Sequence, residues 1–235
     1  MQELAQRAYS YLGRSPLLYM DVMEALRREI GTVAAVREDG ALVYIRSSQV
    51  YLLAAENQQA AEALCHGLGQ ASQVAVHHLE TARLLEDRLG WRSMECRAAA
   101  YLELDPPQTR NIELRALTPD QSEEVLEAFG EALGTEEIQD ALRTGMLQGA
   151  YQNGRLAGTV GLYPEGGIGL LAVSPDCQGM GIDEALVAHI TSWCLENDFA
   201  PFVHIPVWDE EALDLYKRMG YTIDNGSVYW LGGDN

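Results

Sequence analysis

Two stretches of this sequence pass through the same succession of hydrophobic patterns, and a chain built that way is committed to using one arrangement of helices and strands twice. In the first stretch a pair of helical segments leads, the second of them LLYMDVMEALRREIG, opened by Pro16 and ended by Gly31. TVAAVRE and ALVYIRS then alternate like the arms of a hairpin around a turn at Asp39-Gly40, and VYLLAAE reads as a third strand. NQQAAEALCHGLG reads as a helix, SQVAVHH as a strand, ETARLLEDRLG as a helix and CRAAAYLEL as a strand. In the second stretch IELRAL is a strand, Thr118-Pro119 starts a helix, and GTEEIQDALRTG is another. GAYQNGRLAGTVGLY repeats the hairpin around Asn153-Gly154, and IGLLAVSP repeats the third strand. A helix from about Gly181 to Asn197, the strand PFVHIPVW, the helix DEEALDLYKRMG and a closing SVYWLG complete it.

The side chains repeat as well as the order. With Gly220 placed on Gly90, Ala212, Leu215, Met219 and Tyr221 fall on Ala82, Leu85, Leu89 and Trp91. The expected fold class is mixed α/β, with each copy a mixed sheet flanked by helices. The chain has 235 residues, enough for two cores of about 100 to 120 residues each. The Pro-Pro pair in LELDPPQTR marks the join, so the expected division is residues 1–105, a linker at 106–111, and residues 112–235.

Composition narrows the partners. A formal net charge of -19 opposes nucleic-acid binding, which needs clustered Lys and Arg, and favours cationic partners only weakly. No apolar run approaches the roughly 18 to 20 residues of a membrane span, and the first residues lack the basic start and apolar core of a signal peptide. The expectation is a cytoplasmic protein with no membrane partner. Cys65, Cys96, Cys177 and Cys194 are scattered, without a CxxC pair or a His at ligand spacing, so they read as reduced thiols and no metal site is expected.

The two copies differ where chemistry would sit. The second has SPDCQGMG between its third strand and the next helix, whereas the first has ENQQAAEA, without glycine. Gly179 and Gly181 free the backbone just before a helix, so that successive N–H groups and the positive end of the helix dipole face outward as an anion site. The loop is neither GxxxxGK[ST] nor GxGxxG.

Val173-x-Pro175-x-x-Gln178-Gly179-x-Gly181 resembles the (Q/R)xxGx(G/A) loop of the GNAT superfamily of acetyl-CoA-dependent N-acyltransferases. Asp209-x-x-Ala212-x-x-Leu215-Tyr216-x-x-x-Gly220-Tyr221 is similar to that family's second signature, Nx(x)AxxLYxxxGF, and the match covers Ile112 to Gly232. The resemblance implies tandem GNAT domains with a degenerate N-terminal copy. It implies acetyl-CoA as co-substrate, with its pyrophosphate on Gln178, Gly179, Met180, Gly181, Ile182 and Asp183 and its pantetheine arm along Leu171, Ala172 and Val173. It also implies that Tyr216 protonates the leaving thiolate, and that the acceptor is a small-molecule or peptide amine.

Read from the residues alone, Tyr216 shares an inward stripe with Ala212, Leu215 and Met219, and is equally a core tyrosine or an acid whose pKa near 10 suits a thiolate. Two positions depart from the pattern. Asp183 stands where the family has Gly or Ala, and Glu184 follows it. A carboxylate about 6 Å from a phosphate charge costs about 0.7 kcal/mol in water and up to about 3 at an effective dielectric of 20, while acidic groups in a first turn stabilise the helix. Asp209 replaces the usual Asn among the cofactor-contacting positions; it is equivalent as a helix cap but accepts hydrogen bonds only. Glu165 and His204 are candidate general bases, against the readings of an exposed loop acid and a hydrogen-bonded sheet histidine. The expected activity is acetyl transfer from acetyl-CoA to a primary amine. The alternative is a non-catalytic module that binds CoA or a small ligand, or serves regulation or interaction. A further possibility gives the N-terminal copy part of the acceptor pocket.

Overall fold

The computed structural model describes residues 2–109 and 112–232, so the last two residues of the expected linker, 110 and 111, lie outside the described residues. Elements follow in the order α1 (Gln2–Leu12), α2 (Met20–Arg27), β1 (Gly31–Arg37), β2 (Gly40–Ile45), β3 (Val50–Ala55), α3 (Gln58–Leu64), β4 (Gln73–Val76), α4 (Leu79–Leu89) and β5 (Arg92–Ala100). Then come β6 (Glu113–Ala116), α5 (Ser122–Leu133), α6 (Thr135–Thr144), β7 (Leu147–Gln152), β8 (Arg155–Leu162), β9 (Ile168–Val173), α7 (Ile182–Glu196), β10 (Phe202–Pro206), α8 (Glu210–Arg218) and β11 (Thr222–Gly232). The fold is mixed α/β, with parallel and antiparallel strand pairs flanked by helices.

The chain forms two compact units. Unit 1 holds the residues up to Ala100 together with His204–Glu210 and the stretch from Ile223 onward; unit 2 holds Tyr101–Val203 and Glu211–Thr222. In unit 1 the strand order is β1-β2-β3-β4-β11-β5, and the last strand of the chain inserts antiparallel beside β4, from Tyr229 on Val76 to Gly232 on Gln73. β2 and β3 are apolar on both faces because both are covered. Val43, Leu52, Ala54 and Ala75 pack with Leu12, Val22 and Ala25 of the first two helices. Their neighbours Leu42, Leu53, Val74 and Val76 pack with Ala60, Leu64, Ala82 and Leu85 of the next two. That is the period of two expected of strands buried on both sides.

In unit 2 the order is β6-β7-β8-β9, and Val203 of β10 pairs in parallel with Ile168 of β9. On one face, Val125 and Phe129 of α5 and Ile138 and Leu142 of α6 bury Leu147 and Leu170. On the other, α7 settles against β8 at Gly158, where a Cβ would lie 2.9 Å from Leu186 Cδ1 and 3.2 Å from Ile182 Cγ2. The absent side chain sets how closely this helix approaches its sheet.

Several boundaries differ from the sequence reading: α2 starts at Met20, beyond Pro16, β5 runs from Arg92 to Ala100 rather than through Leu104, and two others share one cause. The first hairpin turns at Glu38-Asp39, because Arg37 pairs with Gly40; Gly40 is needed for close approach, its Cβ position lying 2.6 Å from the Ala54 carbonyl oxygen. α2 ends at Arg27, with Glu29 in the left-handed region at φ 58°, and Gly31 opens β1, where a Cβ would meet Val43 Cγ1 at 2.6 Å. In both places a glycine that reads as local punctuation answers to packing from elsewhere. The second hairpin turns as expected at Asn153-Gly154, with φ 53° and 77°.

A candidate cofactor and active site in unit 2

The site begins in β9. Its pairing with β8 gains a residue between Gly169 and Ala172, because Thr159 pairs with Ala172 and Gly161 with Gly169. Leu170 absorbs that bulge at φ 53°, and its carbonyl accepts from the Thr159 hydroxyl at 3.0 Å. On its other side β9 is paired with β10 at Ile168 alone among the described residues. Leu171, Ala172 and Val173 are half-buried, with their strand edge open beyond that single pair. An open edge offers alternating N–H and C=O groups to an extended ligand carrying amides.

The chain then turns through Pro175–Cys177. Gly179 and Gly181 both adopt left-handed backbone, at φ 70° and 69°, and Ile182 starts α7. No side chain caps this helix. The Gln178 and Met180 N–H groups donate to Pro175 and Cys177, whereas no backbone carbonyl among the described residues accepts from Gly179, Gly181, Ile182, Asp183 or Glu184. A Cβ on Gly179 would meet nothing within 4 Å. Unspent donors at the positive end of a 15-residue helix, beside space that one methyl group would begin to fill, fit a phosphate. The corresponding helix of unit 1 is closed: the Asn57 side chain accepts from the Ala60 N–H at 2.9 Å, and Glu56 beside it is clasped by Arg14.

The acidic departures separate in the structure. The Arg218 guanidinium, at the end of α8, lies 3.5 Å from Glu184. Asp183 is half-buried in the first turn of α7.

Tyr216 is 3% exposed and packs edge-on against Tyr221, with ring centroids 4.9 Å apart. The Thr191 hydroxyl donates to the Val187 carbonyl at 2.6 Å and therefore accepts from the Tyr221 hydroxyl at 2.7 Å. Burial, reinforced by Tyr216, holds the Tyr221 phenol well above its usual pKa, so it stays protonated and committed to that bond. Glu165, for which the sequence offered a candidate base against an exposed loop acid, is 6% exposed, with one carboxylate oxygen 3.5 Å from the Cβ position of Gly167.

His204 falls in unit 1. Its Nδ1 accepts from the Trp230 indole N–H at 3.0 Å, and indole can only donate, so the neutral ring's lone pair is occupied. Burial pushes His204 down to about 4, with the Asp21 charge opposing and His77 adding. That geometry is a sheet histidine's and leaves no lone pair free to take a proton from an amine. Asp209, also in unit 1, immediately precedes α8, and its N–H donates to Pro206 at 3.0 Å. Among the described residues no group of three His, Cys, Asp or Glu side chains could hold a metal, and no helix is long and apolar enough to cross a membrane.

Two features had no signature in the sequence. Leucine is not a positive-φ residue, so the Leu170 bulge is invisible there. The Arg218–Glu184 pair joins two helices that sequence spacing cannot bring together.

An open strand edge runs into an uncapped, glycine-flanked helix start, and its unspent backbone groups have the chemistry to receive an extended ligand that ends in phosphate. The chain belongs to the GNAT acetyltransferase family, whose profile matches residues 96–221. Among curated proteins none matches. Solved structures with the same fold include a Drosophila protein, 14% identical, covering 99% of this chain and 96% of its own, with a TM-score of 0.65. A GCN5-related N-acetyltransferase-like protein from Streptococcus suis is 15% identical, covering 99% and 100%, with a TM-score of 0.58. A GCN5-related N-acetyltransferase from Kribbella flavida is 10% identical, covering 93% and 96%, with a TM-score of 0.59.

Proposed function

We propose that the protein transfers an acetyl group from acetyl-CoA to a primary amine by direct attack, with the site in unit 2. The carrying observation is the uncapped start of α7 at the end of the open edge of β9. The free N–H groups of Gly179, Gly181, Ile182, Asp183 and Glu184 hold the pyrophosphate, and Leu171, Ala172 and Val173 hold the pantetheine amides. Acetyl-CoA supplies the activated thioester. The amine nitrogen forms a bond to the acyl carbon, the carbon–sulfur bond breaks, Tyr216 gives its phenolic proton to the departing sulfur, and the proton shed by the nitrogen passes to the base and on through solvent to the phenolate. Tyr216 is assigned that step because it occupies the tyrosine position of the second signature, on α8 in the same unit as the α7 start. Glu165 is the base candidate in the same unit, since the lone pair of His204 is engaged. Unit 1 is a second copy of the fold that has closed its own helix start with Asn57.

The test is acetyl-CoA turnover against a panel of primary amines, with Tyr216→Phe beside the wild type. The expected result is a fall in kcat of about 10² to 10⁴ with CoA affinity retained. A variant as fast as wild type removes Tyr216 from the mechanism, and no calorimetric heat from millimolar acetyl-CoA refutes the cofactor assignment.

A further inference from the structure

A site for a polyanion in a chain of net charge -19, with two carboxylates in the first turn of its binding helix, needs a cation close by. Three ion pairs of unit 2, Arg115–Glu113, Arg143–Asp140 and Lys217–Asp214, each join residues two or three apart and lie within one element. Arg218–Glu184 is of another kind. It carries a guanidinium from the end of α8 across to the side chain of Glu184 in the first turn of α7, the residue next to Asp183 in the helix whose first N–H groups are unspent. The side chains are 57% and 43% exposed and the contact is long at 3.5 Å, so the pair is loosely held and contributes little to stability.

We propose that Arg218 binds a phosphate of the cofactor, and that Glu184 holds it at the mouth of the site until the cofactor arrives. The inference rests on the cofactor reading of the α7 start. A guanidinium on an exposed single carboxylate gives up little when it moves to a phosphate, which presents more charge and two oxygens to its fork. Glu184 then turns to solvent. Asp183 remains the one acidic group of that first turn with a standing cost to the phosphate, which explains how the loop tolerates both.

The experiment is calorimetric titration of the full chain with CoA, 3′-dephospho-CoA and pantetheine, using wild type, Arg218→Gln and Glu184→Gln, with thermal melting of each protein. Arg218→Gln is expected to weaken CoA about tenfold and flatten the salt dependence of its binding. Glu184→Gln is expected to tighten CoA a few-fold by removing the competing charge. Pantetheine, without phosphate, binds all three proteins alike. If the tenfold loss disappears with 3′-dephospho-CoA the contact is to the 3′-phosphate, and if it persists the contact is to the pyrophosphate; either supports the proposal. CoA binding to Arg218→Gln as to wild type overturns it, as does an equal loss of CoA and pantetheine. A wild-type protein that binds no CoA overturns the cofactor reading itself, and the inference with it.

Discussion

Gly179 and Gly90 allow the cofactor loop to be tested against its own backbone strain. Both sit at φ 70° and a Cβ on either would meet nothing within 4 Å, but Gly90 merely closes α4 in unit 1, whereas Gly179 lies in the loop before α7. An alanine at either position is forced into left-handed backbone at about 1 kcal/mol, which lowers Tm by about 2 to 4 °C in a chain of this size. No clash adds to that cost, so the two variants should melt alike. Their affinities should part. A methyl group at Gly179 enters the space beside the unspent N–H groups, and losing one amide contact to a phosphate costs about 2 kcal/mol, or about thirtyfold in Kd. Calorimetry with CoA and scanning fluorimetry on Gly179→Ala and Gly90→Ala give both numbers. Gly179→Ala binding CoA within about twofold of Gly90→Ala would refute the claim that this loop holds the phosphate.

Two more outcomes concern the buried histidines and the cap of α3. His77 donates from Nδ1 to the Leu53 carbonyl and from Nε2 to Asp21, and although burial pushes it down, the Asp21 charge and these bonds raise its pKa overall. Its stabilisation is complete below the unfolded value near 6.5 and is lost as pH rises through the raised folded value. His204, pushed down by burial to about 4, acts in the opposite sense, as do His78 and His189: unfolding takes up protons, so stability falls as pH drops from about 6.5 toward 4. Burial drives Asp21 up, but His77 and the Val22 N–H bring it below its usual value, so its contribution is lost only in more acid solution. Urea unfolding across pH 4 to 9 should therefore show a maximum near 6.5, with His77→Gln flattening the alkaline limb and His204→Gln the acid limb; a monotonic profile contradicts the assignment. Asn57→Ala removes the cap of α3 and should cost about 1 kcal/mol by urea denaturation without changing CoA affinity; a gain in CoA stoichiometry would show that a second site had been opened.

The succession of elements was legible because it rests on local periodicity: both copies of the strand-helix order, the Asn153-Gly154 turn and the span of α7 are where the hydrophobic pattern places them. The glycine loop was legible for the same reason, since φ near 70° is what Gly179 and Gly181 permit. Features decided by distant packing were not. Gly31 and Gly40 read as a helix stop and a turn residue, yet they are required by Val43 and by the Ala54 backbone. Glu165 reads as solvent-facing and is buried, and the ring of His204 is fixed by a tryptophan 26 residues away. β11 reads as the last strand of the second copy, but its pairing with β4 places it in unit 1, because strand pattern specifies a face and not a partner.

The contrast between the two helix starts shows what equips one copy and not the other. α3 has seven residues and α7 has 15, so α3 presents less dipole and fewer turns to hold it. Asn57 takes the N–H of Ala60, the third residue of α3, and Glu56 next to it is a carboxylate engaged by Arg14. Restoring glycines to ENQQAAEA would therefore not restore a phosphate site, because backbone freedom is only one of its requirements. The others are donors left unspent and a cation within reach; unit 2 leaves the start of α7 without a capping side chain, and in the proposal above Arg218 is the cation. A binding loop is in this sense defined by what its neighbours leave unsatisfied, which is why one copy of the pattern can be closed and the other remain open.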